Sequence, residues 1–189
     1  MTGSTLNMHY TIADPKTFGI SEYEPVLPIY HSDQPEDSKE HCSDLLHRLD
    51  RIDPDRLSPE NAYTYRLLHR SLENDLALAD FPYYNEPLSP SSGMQSQLPV
   101  LLAEYTFRTK RDVTDYLALL DQIDDYFSSL LLYEQEKAAA GFFMPACSSE
   151  KVRKQCDTIV TTEELAQGTH FLQTTFEDRL SELQKQGLF

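Results

Sequence analysis

Six histidines (His9, His31, His41, His47, His69 and His170) and 31 acidic residues are the raw material for a metal site in this chain of 189 residues. A helical zinc site sets its donors three or four residues apart so that they share one face, as in H-E-x-x-H. His41 and His47 stand six apart, so they point to different faces, and no other two histidines are close in sequence. All six read as surface or ordinary core histidines. Asp121 and Asp125, with Asp124 between them, have a spacing that suits a hard cation. The same spacing suits a solvated acidic face opposite a leucine seam. The three cysteines, Cys42, Cys147 and Cys156, form no C-x-x-C pair and no zinc spacing, and are expected to be reduced thiols of a cytoplasm-like compartment. No metal ligand is assigned in this chain.

The other stretch with chemical potential is "PLSPSSGMQSQLP", where Ser89, Ser91 and Ser92 cluster beside Gly93. A hydrolase elbow needs a strand-turn-helix context and a G-x-S-x-G pattern, and neither is present. The serines suit loop and cap hydrogen bonds. No G-x-x-x-x-G-K-[ST] phosphate loop exists, and six glycines leave little room for one. "RTKRD" is a small basic island that Asp112 and Asp115 neutralise, with Arg111 and Asp115 an i, i+4 pair. No catalytic residue is assigned either.

The elements that would position these residues are helical. Residues 1–35 are the exception: Pro15, Pro25, Pro28 and Pro35 predict a mostly extended, irregular segment laid across another surface, anchored by Tyr10, Phe18, Tyr23 and Tyr30. Residues 36–189 are expected to be a single helical region. The first helix puts Cys42, Leu45, Leu46, Leu49 and Ile52 on one face. Ser58 and Pro59 restart the chain as N-cap and first helical residue of the next, which carries Tyr65, Leu68, Leu72 and Leu76 and ends near Asp80. A short buried helix is predicted over 93–105. A long helical region from Thr109 or Arg111 follows, with a seam of Val113, Tyr116, Leu120, Ile123, Phe127 and Leu130, closed by Gly141. Next come a helix with Val152, Cys156 and Ile159 inward, a capping box of Thr161 with Glu164, and a last helix capped by Thr169 that faces Leu172, Phe176, Leu180 and Leu183 inward. No alternation marks a strand and no fixed repeat marks a solenoid. The fold class is all-α: an irregular proline-rich N-terminal segment followed by a bundle of amphipathic helices.

Length and composition fit one domain with a real core, since 40% of residues are apolar and 11% aromatic. The formal net charge of −15 repels phosphate backbones and anionic lipid, which argues against nucleic acid and membrane as partners. The longest apolar runs, near Leu98–Ala103 and Leu130–Tyr133, are far too short to span a bilayer, and Met1 is not followed by a basic and then apolar leader. The chain is expected to be soluble and cytoplasmic.

The run from "PLSPSSGMQSQLPVLLAEYTFRTKRDVTDYLALL" to "GFFMP", with "TLNMHYTIADPKTFGI" and "THFLQTTFEDRL" as flanking blocks, resembles the N-terminal half of the family called domain of unknown function 885. The resemblance runs from about Thr5 to the end, and its most specific parts are S-G-x-Q-x-x-L-P and "RDVTDYLALL". It implies a larger, mostly helical, zinc-dependent metallopeptidase-like fold. In that fold an H-E-x-x-H helix of the C-terminal half binds zinc and activates the attacking water. This chain contains no H-E-x-x-H, so no zinc ligand or general base carries over and no cofactor is expected within it. The resemblance implies a piece cut at both ends, inactive alone, whose partners are the remaining half of the parent chain and, in the intact protein, a peptide. The loop would then border the substrate cleft, with Ser92, Gly93, Gln95 and Arg108 as its cleft residues, or serve as a buried connection between two helices. A non-enzymatic helical scaffold or protein-interaction module is the alternative reading.

Overall fold

The computed structural model describes residues 5–30 and 35–188, and among them the only regular structure is helix. The chain is all-α. Its contacts group residues 5–30 with 86–188 in one compact unit and residues 35–85 in another.

The smaller unit is a hairpin of α1 (Pro35–Leu49) and α2 (Pro59–Leu78). The Ser58 hydroxyl accepts from the Asn61 N–H at 3.3 Å with Pro59 next, the N-terminal arrangement predicted from the sequence. Leu45, Leu49, Ile52, Leu68 and Leu72 line a cleft of about 390 Å³ between the two helices. Described residues 39–85 include none that is fully buried. Polar contacts hold the hairpin's rim: Lys39 pairs with Asp80, and the His69 ring nitrogens lie 3.3 Å from Asp50 and 3.5 Å from Glu73.

The larger unit begins with α3 (Thr5–Thr11), which lies inside the segment expected to be irregular, before a 3-10 turn over Pro15–Phe18. Thr5 makes this short helix possible by pairing with the chain that follows. Its N–H donates to Val26 O at 3.0 Å, and its hydroxyl accepts from the Val26 N–H at 2.7 Å. Residues 20–30 have no regular secondary structure and are pinned by side chains. The Gln122 amide donates to Pro25 O at 2.8 Å and accepts from the Leu27 N–H at 3.0 Å. The Tyr30 N–H donates to the Ser129 hydroxyl at 3.1 Å. Tyr10, Tyr23 and Tyr30 all make anchoring bonds. Phe18 is not an anchor; it is 70% exposed.

The remaining helices are α4 (Met94–Glu104), α5 (Lys110–Leu120), α6 (Ile123–Ala139), α7 (Ala146–Ile159), α8 (Thr162–Gln167) and α9 (Phe171–Lys185). The helical region predicted from Thr109 to Gly141 is thus two helices. At its break the Gln122 N–H donates three residues back, to Leu119 O at 3.2 Å, while the Gln122 side chain clamps the extended segment. Of the predicted seam Val113, Tyr116 and Leu130 are buried, while Leu120, Ile123 and Phe127 are only partly buried and Leu119 and Tyr126 take the deeper positions beside them. Gly141 and Gly168 close α6 and α8 at φ of 88° and 69°, where a side chain would be strained.

The core joins Leu98, Leu102 and Tyr105 of the α4 region to Phe107, Val113, Tyr116 and Leu119, with Leu183 from α9. α4 packs on both α7 and α9. The last helix is capped by His170, not by Thr169. The His170 Nδ1 accepts from the Leu172 N–H at 3.3 Å while Nε2 reaches Ile159 O at 2.9 Å, which assigns the ring proton to Nε2 and ties α9 to the end of α7. The Thr169 hydroxyl turns to Glu164 O instead. No helix among the described residues is long and apolar enough to cross a membrane.

Candidate functional site

The serine-rich loop before α4 folds back on itself. The Gly93 and Met94 N–H groups donate to Ser89 O and Pro87 O at 3.0 and 2.9 Å, and the Ser92 N–H to the Ser89 hydroxyl at 3.1 Å. These bonds do the work of an N-cap side chain, which glycine lacks. Gln95, buried in the first turn, staples the loop: its Nε2 donates to Ser89 O at 2.7 Å and to Gln155 Oε1 at 2.8 Å. The Gln155 amide then donates to Pro90 O at 2.9 Å, which joins α7 to the loop. A side chain at Gly93 would begin 2.0 Å from Gln95 Oε1 and 2.2 Å from the Ser89 nitrogen. Glycine is required by close approach, at an ordinary φ of −72°.

Of the predicted cleft residues, Ser92, Gly93 and Gln95 therefore lie together, and Arg108 does not join them. It lies beyond the far end of α4, a helix about 16 Å long at 1.5 Å per residue. Gln95 Nε2 is committed to two internal acceptors, while Oε1 is buried without a hydrogen-bond partner among the described residues. Ser92 and Arg108 are exposed.

Around Arg108 the chain builds a denser polar cluster than the sequence suggested. Asp112 completes a capping box at the start of α5, with its Oδ2 accepting from the Arg108 and Thr109 N–H groups at 2.8 and 2.7 Å. Its other oxygen lies 3.7 Å from His9 Nδ1. The His9 ring is stacked on Tyr105 with centroids 3.7 Å apart, and its Nε2 is 3.4 Å from the Arg108 guanidinium. Burial and then the Arg108 charge hold the His9 pKa below its ordinary value, outweighing Asp112. Next to it, Asp115 accepts from the Tyr23 hydroxyl at 2.9 Å and from Arg111 Nε at 3.4 Å, while the Arg111 guanidinium covers the Tyr23 ring at 4.1 Å. Burial and the Asp115 bond push the Tyr23 hydroxyl up to about 12. His9, Tyr105 and Tyr23 had no local sequence signal for this meeting, because the contacts join residues more than ninety positions apart.

The larger unit also carries an open apolar groove of about 380 Å³ between α4, α5, α6, α8 and α9, with Leu102, Leu117, Phe127, Leu165 and Phe176 among its lining. Gln173 brings a polar group to it, an Oε1 that is buried without a partner among the described residues.

The sequence profile of a family described as "Bacterial protein of unknown function (DUF885)" matches residues 16–187. The chain belongs to this family. No curated protein matches it, and no solved structure matches it.

Zinc is the metal that the resemblance of this DUF885 chain implies, and the described residues offer no donor set for it. No three His, Cys, Asp or Glu side chains among them converge on a point. Asp121, Asp124 and Asp125 are all exposed, at the end of α5 and in the first turn of α6, and belong to no group of three ligating side chains among the described residues. His9, His69 and His170 are each engaged with protein groups. No step of chemistry is routed through a metal on these residues.

Proposed function

We propose that this chain is the N-terminal helical, cleft-forming portion of a zinc metallopeptidase-like hydrolase that acts on peptides. The observation that supports it is the DUF885 match over residues 16–187, which includes the S-G-x-Q-x-x-L-P loop on which the resemblance to that enzyme class was drawn. In this reading the zinc and the water-activating glutamate belong to an H-E-x-x-H segment outside these residues, so the chain alone is inactive. Of the four cleft residues, the exposed Ser92 and Arg108 would meet the peptide, and the buried Gly93 and Gln95 would hold the loop in place. The three cysteines are unpaired, which suits a reducing compartment, and we place the protein in the cytoplasm.

Reading the gene in frame past the codon for Phe189 should reveal H-E-x-x-H, and a stop codon there would defeat the enzyme reading. The chain itself, given peptides and zinc, should hydrolyse no faster than a blank; turnover abolished by a chelator would contradict this. In a protein joining both halves, Arg108→Ala should raise KM about tenfold, the scale of one charge-assisted hydrogen bond. The apolar groove favours a second reading, a helical interaction module that accepts an amphipathic partner helix. A stop after Phe189 together with a saturable complex would support it.

A further inference from the structure

Arg108 is exposed, yet both its backbone and its side chain are held by buried groups, Asp112 and His9. Its backbone N–H donates to Asp112 Oδ2 at 2.8 Å, and its guanidinium lies 3.4 Å from His9 Nε2. A guanidinium can only donate, so Nε2 is the acceptor and the ring proton sits on Nδ1. That tautomer suits the other side of the ring, where Asp112 Oδ1 stands 3.7 Å from Nδ1. Stacking on Tyr105, with centroids 3.7 Å apart, fixes the plane of the imidazole. Arg48, Arg111 and Arg153 each pair with a carboxylate four residues away, whereas Arg108 forms no ion pair among the described residues. In a chain of net charge −15, a guanidinium aimed by a neutral ring and left without a counter-charge is a place for an anion.

We propose that Arg108 binds a carboxylate of a peptide and that His9 is its positioning residue. This rests on the reading in which Arg108 meets the peptide, and names the group it meets. The planar fork of a guanidinium matches a carboxylate through two parallel N–H···O bonds, and one unneutralised cation suits a single negative charge. His9 holds the fork in one orientation, so less side-chain freedom is lost when the ligand arrives. The arrangement depends on a neutral ring. An imidazolium carries a proton on both nitrogens, so it would turn a donor toward a donor and set two cations 3.4 Å apart. The groups that act on the ring are Arg108, Asp112, Asp115 and the Thr106 backbone, with Tyr105 and Tyr10 as its aromatic neighbours. Their balance keeps the ring neutral: burial first and Arg108 second lower the His9 pKa, against Asp112. Binding should therefore be intact at and above 6.5 and be lost as pH falls through the folded value. A peptide carboxyl titrates near pH 4, so the ligand stays ionised through most of that window.

The test is titration of the full chain, followed by nitrogen-15 NMR of the Arg108 side chain, with three probes. They are N-acetyl-alanyl-alanine, its C-terminal amide, and N-acetyl-glutamate amide, whose only carboxylate is on the side chain. At least one carboxylate should shift the Arg108 signal saturably and bind about tenfold or more tighter than the amide. The tighter carboxylate tells a chain terminus from an acidic side chain. In Arg108→Gln the preference should vanish. In His9→Phe, which keeps a ring against Tyr105 and offers no acceptor, it should fall about threefold and lose its dependence on pH. Should either variant fail to fold, the wild type decides: affinity that falls in step with protonation of the His9 ring, read by carbon-13 NMR, supports the site. Equal affinity for the amide, inorganic phosphate bound tighter than either carboxylate, an undiminished preference in either variant, or a pH profile flat from about 7 to 5 would overturn it. The titration involves no catalysis, so the reading frame past Phe189 decides the hydrolase reading separately.

Discussion

The two units are built of the same kind of amphipathic helix and are held together in different ways. In the larger one Tyr105 and Leu119 are 0% exposed and a web of rings surrounds them, Tyr105, Tyr116, Phe107 and Phe176 lying with centroids 5.4 to 6.2 Å apart. In the hairpin of α1 and α2 the apolar stripes meet along one open cleft, and Leu67 and Leu68 remain 53% and 50% exposed. The two helices of the hairpin bury one stripe each against the other, whereas α4 is packed by both α7 and α9. Stability should follow burial, so the larger unit should be cooperative and the hairpin should open by itself at lower cost.

The strongest way to break that comparison is Leu119→Ala against Leu72→Ala. The first should cost about 2–5 kcal/mol as a core cavity and the second about 1 kcal/mol, read from denaturant midpoints; equal costs would abolish the distinction. Gly93→Ala comes next, at about 1–3 kcal/mol, because its side chain meets Ser89 backbone and the loop must shift. His9 gives a smaller pH signature specific to the larger unit. Its pKa is depressed in the fold, so its contribution is present above the ordinary value of 6.5 and is lost as pH falls through the folded value. In His9→Asn the acid-side slope should shrink, and an unchanged slope would place the titration elsewhere. The smallest effect is Lys39→Ala in the hairpin: an ion pair whose side chains are 39% and 63% exposed should change stability by less than about 1 kcal/mol, and less still in high salt.

The sequence was legible where the signal is local. Ser58 with Pro59, Thr161 with Glu164 and the glycines after α6 and α8 each fix an end through bonds that span a few residues. It was less legible where a distant partner decides. Thr169 has a good capping side chain, yet His170 caps α9 because Ile159 O is there to hold its ring. α5 and α6 carry one continuous apolar period, and the break at Gln122 comes from backbone ninety-five residues earlier. Thr5 turns a proline-poor stretch into α3 only because Val26 returns to meet it. That residues 81–93 form a loop was legible, but the Gln95–Gln155 staple has no mark in sequence, since glutamines sixty residues apart announce nothing. Arg108 was linked to that loop by the family resemblance, and the length of α4 separates them.

Arg179 has a consequence for the order of events during synthesis. From α9 its guanidinium donates to Leu102 O at 3.1 Å and to Tyr105 O, and it lies over the rings of Phe107 and Tyr116. It thereby closes the C-terminal end of α4 with a group made more than seventy residues later. A ribosome delivers the hairpin complete while α4 still lacks its closing cation. The hairpin can therefore form on the nascent chain, and the larger unit must wait for α9 to emerge before residues 5–30 can settle. During that interval the tyrosines of the N-terminal segment are the surface that a chaperone would meet.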